Sequence, residues 1–445
     1  MTVLGASFAG MFAAAAAARA EAEVTLLERD ALGSGAARSG VPQGRQPHIF
    51  LHRGMTALED LLPGLRDDLV HAGGVPFDTA VMPWLADGGW FPLDGTAYEV
   101  VSLTRPLLEE TIRRRLLQLP RIRFCDGVKV TGLARRDGRF AALTEHGTAY
   151  EADLVIDATG RSSRLSSWLP AIGLAAPRVV SVDARLGYAS RLYAVTPGSF
   201  PFPGVVIAPT PKAPVGGMAL RVQDDAALVL AVGYGDHRPP REAAAFQAFL
   251  AGLRHSCLAA LTEQWTPLGE VAVHRQTGNL RRHYEQSRDW PDGLLVVGDA
   301  LCCFNPLYGQ GISVAACEAE LLLRKLRHDE PAPGYCARLL GDFASLLRFP
   351  WGIATGEDVR YPSSEGRPSP AAQAFTWWVD RVRELALAGD HEAGTRLGAV
   401  FHMMASPLAL LHPSLFVRVA AARMGGRVEP GSKPVGLPSL GTRAP

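Results

Sequence analysis

The sequence predicts an α/β chain: a Rossmann-like nucleotide-binding domain, an antiparallel-sheet domain inserted into it, and a C-terminal helical region. Three observations predict it. The chain opens as strand, glycine-rich turn, helix and strand within its first 28 residues. Segments 179–195 and 205–233 alternate and are rich in Val, Leu and Tyr, the pattern of an antiparallel sheet. From 331 to about 424 the pattern is helical, broken by prolines.

Taken in order, Val3-Leu4 is a short apolar run, followed by the turn 5–10 and an apolar helix to Ala20. Residues 24–27 form a β-branched, apolar strand that ends at Glu28. Residues 38–48 are rich in Gly and Pro and read as loop. A helix is expected over 104–119 and strands over 122–133 and 140–150, with Asp137-Gly138 as a turn between them. Residues 154–157 are a buried strand closing on Ala158-Thr159-Gly160. A helix is expected from about 241 to 263, a buried strand over 294–297, and a helix over 311–326. The expected domains are 1–75, 101–165 and 270–330 for the nucleotide domain, and 76–100 with 166–269 for the substrate-binding sheet domain. Residues 331–428 would be the helical region and 429–445 a flexible tail.

Bulk properties narrow the function. The formal net charge of the 445 residues is +1, so bulk charge gives no reason to expect nucleic acid or an acidic membrane as partner. The six cysteines are scattered and form no C-x-x-C pair, which points to reduced thiols in a cytoplasmic protein and to no metal site. The Ala-rich stretch 12–20 follows a glycine turn and lacks a basic lead, so it reads as helix rather than export signal. Residues 397–417 contain no Asp, Glu, Lys or Arg and have spanning length, ~20 residues. Ser406-Pro407 and His412-Pro413 interrupt them, which favours two packed helices over a stable membrane span.

The turn 5–10 reads G-x-S-x-x-G. Gly5 makes the tight turn off the strand, position 7 must be small where backbone approaches a pyrophosphate, and Gly10 lets helix and sheet pack closely. Ser7 stands where glycine is usual, and its hydroxyl could donate to phosphate. The helix N-terminus, with Phe8 and Ala9, offers N–H groups to an anion, and Glu28 ends the second strand in position to accept from ribose hydroxyls. A second corner, Gly298-Asp299-Ala300, closes a strand and leads through Pro306-Leu307-Tyr308-Gly309-Gln310-Gly311 into a helix. A carboxylate at a strand edge can bind ribityl hydroxyls, and a helix N-terminus suits the pyrimidine edge of an anionic reduced flavin.

With Asp157 to Gly160, these two corners resemble the group A flavoprotein monooxygenases, the para-hydroxybenzoate hydroxylase-like family. The segments RSGVPQGRQPH, EADLVIDATGRSSR, WPDGLLVVGDALCCFNPLYGQGIS and ATGEDVRYP are similar to one subgroup: actinobacterial polyether epoxidases of the lasalocid and monensin type, related in flavin domain to squalene epoxidase. The resemblance implies FAD as cofactor. Gly5, Ser7, Phe8, Ala9 and Gly10 would surround the pyrophosphate, while Glu28 and Arg29 would lie at the adenosine ribose. Arg38 would reach the phosphates, Gly40 and Val41 would lie beside the isoalloxazine, Arg105 would hold the FAD from a helix start, and Val130 would meet adenine through its backbone. Asp299 would bind the ribityl or pyrophosphate portion; Pro306, Gly309, Gly311 and Ile312 would flank the pyrimidine edge. Asp157 would be mostly structural. Gln46-Pro47 departs from the usual pattern of relatives beside the ring.

The implied activity is monooxygenation of an apolar natural-product intermediate. Reduced FAD reacts with O2 to a C4a-hydroperoxide, whose distal oxygen passes to an alkene (epoxidation, preferred) or an arene (hydroxylation, next). Electrons come from NAD(P)H or from a separate flavin reductase. Epoxidation needs no side-chain base, and no sequence signal selects one; His48, His52, His274 and His283 are candidates by type only. Gln43 lies in the loop expected near the ring and is the one catalytic candidate. Trp84 and Trp90 flank Gly88-Gly89 in an expected hairpin and either line an apolar pocket or belong to the core. Cys302 and Cys303 read as buried small hydrophobes. Two alternatives stay open: a redox-neutral cyclase with structural FAD, and a flavin reductase or desaturase. A tryptophan-type halogenase is disfavoured, since no W-x-W-x-x-I-P run occurs.

Overall fold

A computed structural model describes residues 1–31, 47–93, 97–136, 138–330, 332–366, 368–424 and 431–440. Arg38, Gly40, Val41, Gln43 and Gln46 lie outside the described residues.

The expected α/β architecture is present. Five parallel strands form the nucleotide-side sheet in the order Leu294–Val296, Val155–Asp157, Thr2–Leu4, Val24–Leu27, Ile122–Cys125. Their register decides the geometry of the site. Leu4 pairs with Leu27 and with Asp157, and Asp157 pairs with Val296. Four strands therefore end level, and Gly5, Glu28, Ala158 and Val297 emerge side by side at the carboxyl edge, where open α/β sheets bind ligands. All four strands are short and almost wholly apolar, as strands covered on both faces are. Helix Phe8–Arg19 packs on this sheet, and Gln310–His328 packs against that helix and against His52–Leu61, with Phe12, Ala16, Ala316 and Leu322 in the shared core.

The second sheet has eight strands. Its centre is Gly187–Ala194, Ala226–Gly233 and Val215–Val222, all antiparallel. Gly204–Ile207 extends it and pairs in parallel with Trp84–Ala86, which forms the expected hairpin with Gly89–Trp90. Side chains alternate: Val229 and Ala231 enter a core with Phe246 and Leu258, whereas Leu230 and Val232 face the other way.

The expected single helix over 241–263 is two helices, Ala243–Ala251 and Cys257–Gln264. Glu242 caps the first by accepting from the Ala244 and Ala245 N–H groups at 2.8 and 2.7 Å. Gly252 ends it, and the Arg254 guanidinium is drawn off to the carbonyls of Ala86 (2.9 Å) and Ala208 (2.6 Å). The strands expected over 122–133 and 140–150 each divide as well, into Ile122–Cys125 and Val130–Arg136, and into Arg139–Thr144 and Ala149–Ala152.

Helix Tyr335–Asp358 bridges regions that the sequence separates. Phe343 and Leu347 join the nucleotide-side core, while its last residue, Asp358, reaches the eight-stranded sheet at Tyr234. Pro350 lies inside it. Helices Pro370–Leu387, His391–Phe401 and Pro413–Met424 share a smaller core around Trp378, Val382 and Leu415. The uncharged run 397–417 is broken as expected at Ser406 and His412, and no helix among the described residues is long and apolar enough to cross a membrane. The expected tail differs: over 431–440, Leu437 is buried in the second core and the Leu440 N–H donates to Ser256 Oγ at 3.0 Å.

Candidate functional site

Three segments meet at the carboxyl edge with their backbones nearly touching. Gly5 has φ +93°, and a Cβ there would lie 2.7 Å from the Ala158 carbonyl oxygen. A Cβ on Gly10 would fall 1.8 Å from the Gly5 carbonyl oxygen, so only glycine lets the first helix turn this close to the strand it leaves. A Cβ on Gly298 would meet Ala9 Cβ at 2.4 Å, which joins the second corner to the first.

Ser7 is the N-cap of the first helix, yet its hydroxyl does not cap it. Instead it donates to Glu109 Oε1 (3.2 Å) and accepts from Arg105 Nη2 (3.0 Å). The hydroxyl expected to donate to phosphate is here directed at the Glu109 carboxylate. The first-turn N–H groups are left without a side-chain cap, and Ser7, Phe8 and Ala9 line a cavity. Arg105 opens helix Arg105–Leu117 and lines the same cavity. Its Nε and Nη2 both donate to Glu109 Oε1 at 3.0 Å, and its guanidinium lies 4.7 Å from the Phe8 ring centre. Nη1 meets His48 Nε2 at 3.1 Å; arginine only donates, so His48 accepts there and is neutral. A fixed cation beside a helix N-terminus is a site for an anion.

Asp299 stands on the opposite wall. Arg282 Nη1 donates to its carbonyl (3.3 Å) and to that of Ala300 (3.0 Å), and the Cys303 thiol donates to the Asp299 carbonyl at 2.9 Å. The backbone is pinned while the carboxylate, which makes no hydrogen bond among the described residues, lines the cavity. Burial pushes its pKa up, against the pull of Arg161, Arg105 and Arg282. Such an unsatisfied acceptor fits a polyhydroxylated chain such as ribityl. Beyond it, Pro306–Tyr308 forms a 3-10 turn, Gly309 (φ +65°) is the N-cap of Gln310–His328, and Gly311 and Ile312 line the cavity. Gln310 Oε1 is buried without a partner at this helix start.

Glu28 is buried and accepts from the Ala6 N–H at 2.8 Å and the Asp30 N–H at 3.0 Å. Glu28 thus ties the turn after the first strand to the end of the second, and it is not among the residues that line the cavity. Arg29 is exposed, and Val130 is half-buried at the start of its strand; neither lines the cavity.

The cavity itself measures about 820 Å³, within the ~300–1,000 Å³ of ordinary small-molecule sites. It runs from Arg105 and Asp299 to Val206, Met218 and Leu230 of the large sheet and to Ile353 and Leu397 of the helical region. Trp84 lines it, edge-on to Phe401 with ring centres 5.4 Å apart. Trp90 does not; it is buried in the second core against His255. Nothing at sequence level separates the two, because the pleat sends one hairpin residue each way.

The histidines expected by type are distributed unevenly. His48 and His274 line the cavity, His52 Nδ1 donates to the Glu99 carbonyl at 3.2 Å, and His283 pairs with Glu285 at 2.8 Å. His402, which sequence reasoning did not select, is buried on the wall. Its Nδ1 accepts from the His52 N–H (3.3 Å), so Nε2 carries the proton toward Thr79 Oγ1 (3.1 Å), and burial with His52 nearby lowers its pKa to about 4. Among the described residues no group of His, Cys, Asp and Glu could hold a metal ion, and all six cysteines are free.

No family model matches the chain. Protein Rv3254 of Mycobacterium tuberculosis (strain ATCC 25618 / H37Rv) is 30% identical over 399 residues, 84% of this chain and 82% of the relative. The chain belongs to the Rv3254 family. Solved structures give the fold of this Rv3254-family chain wider company. A flavoprotein/dehydrogenase from Cytophaga hutchinsonii superposes with TM-score 0.66 at 14% identity, covering 95% of this chain and 98% of that one. PqsL, a probable FAD-dependent monooxygenase from Pseudomonas aeruginosa, does so with TM-score 0.58 at 15% identity over 81% and 96%. The Diels-Alderase PyrE3 of pyrroindomycin biosynthesis gives 0.60 at 14% over 90% and 79%. The Rv3254-family chain shares the fold of these flavoproteins.

Proposed function

We propose that the chain is an FAD-dependent monooxygenase that inserts one oxygen atom from O2 into an apolar natural-product intermediate, by epoxidation of an alkene in preference to hydroxylation of an arene. One observation carries this reading: a single cavity joins the two glycine corners and the Asp299 carboxylate to an apolar wall on the large sheet. The fit to FAD is supported by the uncapped first helix beside Arg105 and by the Asp299 carboxylate and the buried Gln310 Oε1, neither of which makes a hydrogen bond among the described residues. Bound and reduced by NAD(P)H or by a separate flavin reductase, FAD would supply the activation of O2.

The chain's own residues do the rest. Arg105 and the first helix N-terminus would hold the pyrophosphate, and Asp299 the ribityl hydroxyls. Met218, Leu230 and Trp84 would exclude water and orient the substrate. His48 and His402 each have their basic nitrogen occupied, by Arg105 and by the His52 N–H, which leaves His274 and His391 as the cavity histidines that could deprotonate a phenol.

The test is anaerobic reduction of FAD-loaded protein with NADPH or a flavin reductase, followed by O2 and candidate alkenes and phenols, with mass detection. O2 uptake with a one-oxygen mass gain is expected. A colourless protein that refuses added FAD sinks the reading. A second reading, redox-neutral cyclisation, draws support from the superposition on the Diels-Alderase; an isomeric product formed without O2 would establish it instead. A product lighter by two hydrogens would point to a desaturase.

A further inference from the structure

Asp358 ends helix Tyr335–Asp358 with a fully buried carboxylate. Its Oδ1 accepts from Asn305 Nδ2 (2.8 Å), from the Tyr308 hydroxyl (3.2 Å) and, at longer range, from the Tyr234 hydroxyl (3.5 Å). Its Oδ2 accepts from Asn279 Nδ2 (2.6 Å). Every donor is neutral. A buried carboxylate without a cation is an expensive way to fill space, so the question is what its bonds hold.

They hold one turn. Asn305 and Tyr308 bracket Pro306 on the segment that leads to Gly309 and the Gln310–His328 helix. Asn305 has every polar group in use: its N–H donates to Asn279 Oδ1 (2.8 Å), and its Oδ1 accepts from the Leu307 N–H (3.0 Å) and the Tyr188 hydroxyl (3.2 Å). Pro306, Leu307, Tyr308 and Gly309 all line the cavity. The carboxylate thus reaches from the helical region and clamps the turn expected beside the pyrimidine edge of a flavin.

The geometry points to Asp358 as a positioning residue that fixes the 305–309 turn, and with it the start of the following helix, against bound FAD. This rests on the FAD reading above. A pH dependence follows. The groups facing Asp358 are the Tyr308 and Tyr234 hydroxyls, the buried Tyr188 hydroxyl that bonds Asn305 and, farther off, Asp183; Tyr361 stacks on Tyr234 at 3.5 Å, with Glu357 and Arg360 beyond it. Burial raises Asp358 to about 6, while the Asn305, Asn279 and Tyr308 bonds pull it down and Asp183 pushes it up. Those bonds are made to the ionised form. Below pH about 6 a proton on one oxygen faces an amide donor, and the grip on the turn weakens; above it the grip is complete.

The experiment measures FAD affinity from pH 5 to 8, with amide hydrogen exchange on the FAD-free chain, for wild type, Asp358→Asn and Tyr308→Phe. Wild type is expected to bind FAD about tenfold more weakly at pH 5 than at pH 7.5. Asp358→Asn, which sets an amide against two amide donors, should bind about tenfold more weakly at pH 7.5 and lose the pH dependence. Amides of the 305–309 turn should exchange faster while those of helix Phe8–Arg19 keep their protection. Should Asp358→Asn fail to fold, Tyr308→Phe removes one bond and should shift affinity the same way by less. Wild-type affinity and pH profile in Asp358→Asn would overturn the inference, as would a Tyr308→Phe protein that exchanges and binds like wild type. A wild type that takes no FAD at any pH sinks the monooxygenase reading instead, and turn exchange on the FAD-free chain still decides whether Asp358 holds it.

Discussion

The two ends of the cavity are built on different terms. At the nucleotide end, backbone meets backbone: Gly5, Gly10 and Gly298 leave 1.8 to 2.7 Å where a Cβ would sit, and no side chain can be added. At the sheet end, side chains of Val206, Met218 and Leu230 set the wall. The first end fixes what class of ligand fits and tolerates almost no change. The second can be reshaped residue by residue while the fold stands, which is how a shared fold comes to serve different substrates.

The sharpest way to break this contrast is Gly10→Ala. A Cβ at 1.8 Å from the Gly5 carbonyl oxygen has nowhere to move, so the expected outcome is a loss of more than ~3 kcal/mol, with little folded, FAD-binding protein recovered. Thermal melts and flavin absorbance check it; a folded, yellow variant would mean that the corner is looser than described.

The hairpin tryptophans sharpen the comparison within one element. Trp90→Ala removes a buried core ring and should destabilise by ~3–5 kcal/mol. Trp84→Ala opens the cavity wall beside Phe401 and should cost ~1–2 kcal/mol, while widening the range of substrates converted. Urea titration separates the two, and equal losses would place both rings in the core.

One further effect is visible only as a slope with pH. Glu318, on the Gln310–His328 helix, is fully buried; Oε2 accepts from the Gly298 N–H at 2.7 Å and Oε1 has no partner. Burial, with Asp299 nearby, pushes its pKa from 4.5 to about 8. The folded chain therefore holds this proton more tightly than the unfolded chain does. The stabilisation is complete below pH 4.5 and is lost as pH rises through about 8. Glu318→Gln keeps the acceptor for Gly298 and cannot ionise, so its melting temperature should fall less than that of wild type between pH 5 and pH 9. Parallel curves would show that Glu318 is not the group responsible.

The same division explains what could be read in advance. The Gly5, Gly10 and Gly298 corners were legible because a short-range rule, no room for a Cβ, writes itself into local sequence. The parallel sheet was legible because doubly covered strands are uniformly apolar. The break at Gly252 was not, since it depends on Arg254 finding carbonyls on Ala86 and Ala208, far away in the chain. Ser7 lines the cavity, but the destination of its hydroxyl depends on Glu109, a partner on another helix. Asp358 lies in the segment ATGEDVRYP, whose family likeness was evident, yet its partners Asn279 and Asn305 come together only in three dimensions.

The strand order carries a consequence for how the chain comes into being. Thr2–Leu4 leaves the ribosome long before the neighbour of its neighbour, Leu294–Val296, which is separated from it by almost 290 residues. Until Gly298 closes on Ala9, the nascent molecule has one glycine corner of the cavity and an apolar strand edge awaiting its mate. Insertion of the large sheet between the two corners makes that wait longer.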